Sequence, residues 1–187
     1  MSLFLNDDEE LKREAWRIIG NCLPELHAEQ IATQVEVNVL LEPPIYRKLA
    51  MWFLQRRKAE QTWQFLNTDQ LVGIASKLID SEIDIDSQPG VYLFCSIADD
   101  NVLKVGQSND MRRRIACEHL QWGCMNTNSL LIDHAKRNWS VANDAEWHGS
   151  LRDHEVTALI FPMRNGEKWD RLLIEQSLVG TLNPVMT

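Results

Sequence analysis

Three consecutive arginines, Arg112-Arg113-Arg114, follow the run Gly106-Gln-Ser-Asn-Asp110 in a chain otherwise short of positive charge. Ser108, Asn109 and Asp110 are each good helix N-caps, so the arginines fall in the first turn of a helix read from Met111 to about Leu120. Cations there oppose the helix dipole, at a cost of roughly 0.3–1 kcal/mol each when exposed. Backbone N–H groups at a helix start, beside a glycine and supplemented by guanidinium groups, can hold a phosphate, which would explain the placement. The plainer alternative is a solvated polar helix face.

Other reactive residues make weaker patterns. Cys117, His119, Cys124 and His134 match no familiar zinc spacing, and Cys117 falls on an apolar stripe with Ile115 and Leu120. The four cysteines include no CxxC pair and read as reduced thiols. His148, Asp153 and His154 sit in or beside a polar segment, Trp139–Asp153, read as a surface loop. Trp16, Trp52 and Trp63 fall on helical stripes and read as core, whereas Trp122 and Trp139 flank a helix and could stack on bases.

The elements that must position these residues divide at a change of period. Residues 7–82 read as helical throughout. One helix carries Leu11, Ala15, Ile18, Ile19 and Cys22, and a shorter one runs from Glu25 to about Val35. A third opens at Pro44 and carries a stripe from Leu49 to Leu66, and the last is capped by Asn67-Thr68-Asp69. The polar, acidic stretch Asp80–Pro89 marks a boundary. Beyond it, Gly90–Ile97 and Val102–Val105 read as an antiparallel hairpin around the turn Ala98–Asn101. Helices near Met111–Leu120 and Thr127–Lys136, a strand at Glu155–Met163 and a helix at Trp169–Val179 complete the chain. The expected class is α+β: a small three-stranded antiparallel sheet flanked by helices over residues 90–187, a linker at 83–89, and an all-α N-terminal domain over 1–82.

Composition narrows the partners. The chain has 187 residues, 44% hydrophobic and 25% charged, which are ordinary globular values, and no apolar run approaches a membrane span. The start, Met1 to Glu10, is acidic where a signal peptide needs a basic end, so the expectation is a soluble, cytoplasmic protein with no membrane partner. Net charge is −8; residues 1–87 hold 9 basic and 15 acidic groups and the remainder 10 and 12. That balance excludes a broad electropositive footprint, so any hold on phosphate rests on a local cluster.

Gly90-Val91-Tyr92, Lys104-Val105-Gly106, Arg114 eight residues after that glycine, Glu175 in the final helix and the closing Leu182-Asn183-Pro184 together resemble the GIY-YIG nuclease domain. The resemblance covers about residues 88–187. It implies a DNA phosphodiesterase in which Tyr92 is the general base, Arg114 stabilises charge on the phosphate, and Glu175 anchors one divalent ion, Mg²⁺ or Mn²⁺. His119, five residues after Arg114, resembles an active-site histidine of some members at a spacing one residue different. Gly106, Ser108, Arg112, Arg113 and Asn183 are then the substrate-binding positions. The second-motif tyrosine is Lys104 here; a lysine could lower the pKa of Tyr92, with Arg114, or touch the phosphate. The alternative is a catalytically inactive module of the same shape that binds nucleic acid or a protein. The N-terminal helices are the surface left for a second copy or a protein partner.

Overall fold

The computed structural model describes residues 4–23, 43–76, 85, 87–123, 130–163 and 168–186. The helix expected from Glu25, the Val35–Leu41 stretch, Leu78, Ile79, Cys124 and residues 80–84 and 86 of the acidic boundary lie outside these. Among the described residues no helix is long and apolar enough to cross a membrane.

Two strands carry apolar residues without alternation, as strands covered on both faces must. These are β2 (Gly90–Ser96), buried along its whole length, and β4 (Val156–Pro162), buried at all but its last residue. They pair antiparallel at the centre of the sheet, with Tyr92 opposite Ile160 and Leu93 opposite Leu159. β3 (Asn101–Ser108) pairs antiparallel with β2 and continues three residues beyond the expected Val105. The sheet has four strands rather than three: β1 (Gln64–Leu66) adds antiparallel to β4, giving the order β1-β4-β2-β3. In the sequence, Trp63 to Leu66 extends the helical stripe of the preceding segment. That helix, α2 (Pro43–Glu60), instead ends before Gln61, whose φ is +53°. Three residues are too few to display a period of two.

Helices cover both faces. One core joins Tyr92, Phe94, Ala158 and Ile160 to residues of α3 (Thr68–Ala75), a π-helix (Arg113–Leu120), α4 (Leu130–Asn138) and α5 (Asp144–Asp153). The other joins Val91, Leu93, Cys95, Leu159 and Phe161 to α1 (Phe4–Cys22), α2 and α6 (Lys168–Leu182). Residues before and after 83–89 thus share both cores. Phe161 meets the ring of Phe53 at 5.4 Å and that of Trp16 at 6.2 Å, both edge to face.

Local chemistry sets the helix starts. Asn67 accepts from the Gln70 N–H while the Gln70 side chain accepts from the Asn67 N–H, a capping box at the cap expected from Asn67-Thr68-Asp69. The segment expected as a surface loop contains α5, capped by Asn143 on Glu146 N–H. Only Trp147 and Leu151 of α5 are buried, four residues apart, so its sequence looks polar overall. The Trp147 indole N–H donates to Leu120 O at 2.8 Å and pins the helix down. After α6 the chain turns back, and Val185 and Met186 N–H donate to Val102 O and Leu103 O on the outer edge of β3.

Because α1 and α2 complete a core whose floor is β2 and β4, Leu54→Ala in α2 should cost about 2–5 kcal/mol. Chemical denaturation followed by circular dichroism should show one transition moved to lower denaturant, with β2 amides losing hydrogen-exchange protection in step.

Candidate functional site

Tyr92 stands opposite Gly106 in the β2–β3 pair. A Cβ on Gly106 would lie 2.2 Å from Tyr92 Oη and 2.3 Å from Cζ, so the phenol lies across bare backbone and no larger residue fits beneath it. The ring is 2% exposed and packs edge to face on Phe94. Its hydroxyl is 2.7 Å from Nε2 of His119, itself 1% exposed.

Two local irregularities bring the remaining groups to this point. The helix carrying the arginines is wound as a π-helix over Arg113–Leu120, where the expectation was an α-helix. Its backbone bonds span five residues instead of four, so residues five apart share a side. Arg114 and His119 are five residues apart, a spacing that fits that winding. On β3, the pairing shifts between Phe94, opposite Lys104, and Cys95, opposite Val102, leaving Leu103 as the extra residue of a bulge. From the bulge onward Lys104 and Gly106 fall on the Tyr92 face and Val105 on the other, whose core it joins.

Glu175, half-buried in the middle of α6, accepts a hydrogen bond from the backbone N–H of Gln107 on β3, an edge strand of the sheet. Burial raises its pKa above the usual carboxylate range, against the pull of Lys104, the Gln107 N–H and Arg114. Burial lowers the pKa of Lys104, with Glu175 pulling it back up and Arg114 adding to the fall. Arg114 thus acts on the charge of Tyr92, Lys104, His119 and Glu175, Lys104 on that of His119 and Glu175, and Glu175 on that of Tyr92 and Lys104.

The balance at the phenol differs from the sequence expectation. Lys104 and Arg114 were expected to depress the pKa of Tyr92; burial instead drives it well above the ordinary phenol value, and Arg114 opposes this without overcoming it. Burial, then Lys104 and Arg114, bring His119 down to about 3. At neutral pH the pair is a neutral phenol against a neutral imidazole.

The expected substrate-binding positions fall differently. Gly106 serves the Tyr92 ring. The hydroxyl of Ser108, a buried residue, donates to Asp110 O at 2.8 Å and accepts from Asp110 N–H at 3.0 Å. The Asp110 carboxylate accepts from Arg113 N–H at 2.9 Å, its carbonyl accepts from Arg114 N–H, and Met111 N–H goes to Gln88 O. The helix start is thus occupied by the protein's own acceptors rather than open to phosphate. Arg112 and Arg113 are exposed. Asn183 is exposed with φ +46° just past α6, eight residues beyond Glu175 and so about 12 Å along the axis, apart from the cluster.

Three contributors went unread in the sequence. Glu118 pairs with Arg114 and, at 3.0 Å, with Arg113. Gln107 supplies the N–H that holds Glu175. Arg171, 3% exposed and one turn before Glu175, bonds Asn109 Oδ1 and ties α6 to the end of β3. The four-residue spacing of Arg171 and Glu175 was the available signal. The Nε–H of Arg114 is buried and has no acceptor among the described residues.

Among the described residues no group of three or more His, Cys, Asp and Glu side chains gathers as a metal cage. Of the zinc combination, His119 faces Tyr92, His134 packs on Trp139, and Cys124 lies outside the described residues. The donor set at Glu175 suits a hard ion held by one carboxylate and otherwise by water and substrate oxygens, a mode available to Mg²⁺. No protein-family model, curated protein or solved structure matches the chain.

Two outcomes follow from the Tyr92 packing. Gly106→Ala should cost about 1–3 kcal/mol by overpacking and displace the phenol from His119, read as a lowered denaturation midpoint and a shifted His119 imidazole resonance. The folded protein disfavours protonated His119, so its stabilising contribution is complete above pH 6.5 and is lost as pH falls towards about 3. Thermal unfolding of His119→Gln should therefore lose less stability than wild type across that window; equal slopes would contradict the assignment.

Proposed function

We propose that the chain is a GIY-YIG-like, metal-dependent endonuclease acting on DNA phosphodiester bonds. The observation that carries this reading is the gathering of Tyr92, hydrogen-bonded to His119, with Lys104, Arg114 and Glu175, groups drawn from two strands and two helices. Glu175 would hold the divalent ion, which when bound polarises the phosphate and assists the leaving oxygen. Lys104 and Arg114 supply positive charge for the phosphate oxygens, and the unpartnered Nε–H of Arg114 is a donor in reserve.

The water's proton has one route consistent with these environments. Tyr92 Oη accepts it as the phenol's own proton passes to His119 Nε2, 2.7 Å away, so no free phenolate forms. The net base is His119. A bound phosphate diester offsets Lys104 and Arg114, two of the three influences that lower the imidazole's pKa. Burial, the largest of them, remains.

That burial also favours a second reading, an inactive module that binds nucleic acid or a protein. Tyr92 and His119 are nearly inaccessible, and the Arg114 guanidinium is paired with Glu118.

Nicking of supercoiled plasmid in Mg²⁺ separates the two. Under the nuclease reading Glu175→Gln and Arg114→Ala each lose about 10²–10³-fold in rate, and Tyr92→Phe, which keeps the packing, loses about 10²–10⁴-fold. Undiminished nicking by Glu175→Gln would overturn the site; no nicking by the wild-type chain at any pH favours the inactive module.

A further inference from the structure

An acidic protein that handles DNA needs a place where phosphates are welcome, and the helix start at Asp110 is not open to them. Cations gather with aromatic rings elsewhere, in a groove of about 730 Å³ between α1, the end of α2 and β1. Its volume is within the roughly 300–1,000 Å³ of small-ligand sites. Trp16, Trp63 and Phe65 form the floor, with Trp16 and Trp63 edge to face at 5.4 Å. Trp63 and Phe65 alternate along the β1 segment and so share a face, the one opposite Tyr92, and pack on the second core.

The cations stand over those rings. Lys58 Nζ is 5.2 Å from the Trp16 ring and Lys12 Nζ 6.0 Å from that of Phe65. Arg13 and Arg17 complete the rim. Lys12 is paired with Glu9, and Arg17 with Glu14 and Asp100. Arg13 and Lys58 are exposed and, among the described residues, in no ion pair. Within a chain of net charge −8, four cations line this groove against one carboxylate, Glu9.

We infer that this groove binds single-stranded nucleic acid, with bases against Trp16, Trp63 and Phe65 and phosphates on Arg13 and Lys58. Unpaired bases offer π-faces to aromatic side chains, and cations along the same wall track the backbone. A duplex, with its bases stacked inside, leaves the aromatic floor unused. An acidic peptide would use the cations and leave the rings idle. The inference shares its ligand class with the proposed function but needs no hydrolysis, since none of the residues lining the groove belongs to the Tyr92 cluster.

The test is fluorescence anisotropy of a labelled oligothymidylate with the full Glu175→Gln chain, free of divalent metal. Saturable binding is expected, with an unlabelled duplex of equal length competing at least tenfold less well. Arg13→Glu with Lys58→Glu should weaken binding at least tenfold and reduce the slope of log K against log salt by about 1.4, at about 0.7 per single-strand phosphate contact. Both side chains are exposed, and an unchanged melting temperature would show that the fold is intact. Absence of saturable binding, or binding indifferent to the double charge reversal, overturns the inference. So does displacement by polyglutamate as efficient as by unlabelled oligothymidylate, which would identify an acidic peptide. Absence of nicking by the wild-type chain, with oligothymidylate binding retained, would remove the nuclease reading and leave the groove standing.

Discussion

The candidate site depends on one close approach, the Tyr92 ring lying over the bare backbone of Gly106 with its hydroxyl on His119. The glycine lets the ring lie flat between strands, and the ring then fixes where the π-helix can sit. Arg114 comes to the cluster because His119, on the same side of that helix, is tied to the phenol. α6 is held to β3 by a separate set of contacts, Glu175 on the Gln107 N–H and Arg171 on Asn109. A residue larger than glycine at 106 would disturb the sheet, the helix and the hydrogen bond together.

Burial outweighs charge at the centre of this cluster. Two cations beside a phenol would ordinarily draw its proton off, yet the removal of water from Tyr92 costs the phenolate more than Arg114 returns. The same cations act in the same direction as burial on His119, because both disfavour an imidazolium. The outcome is a neutral hydrogen-bonded pair beside charged groups. At the rim, Glu175 and Lys104 are only half removed from water and support each other's charged forms.

Charge is segregated over the surface of an acidic chain. Within the 112–114 triplet Arg113 and Arg114 pair with the carboxylate of Glu118 and Arg112 is left in solvent, whereas the cations of α1 and α2 gather over aromatic rings on the opposite face. A net charge cannot reveal this, since it sums over faces that a ligand never meets together.

Much was legible without coordinates wherever the cause is local. The hairpin of β2 and β3, the Asn67 cap, β4 and α6 follow from short apolar runs, turn residues and capping chemistry within a few positions of one another. The ordered Gly-x-Tyr, Gly106, Arg114 and Glu175 pattern marked the residues that assemble. The strand at Gln64–Leu66 was hidden because three residues carry no period, and α5 because its apolar side is two residues wide. Tertiary structure alone decided the bulge at Leu103, which turns Lys104 to the Tyr92 face, and the π winding that aligns Arg114 with His119. It also decided the protonation of the phenol. Each of these depends on which side chains are packed against the segment from elsewhere in the chain, and desolvation is a property of that enclosure rather than of any residue's neighbours in sequence.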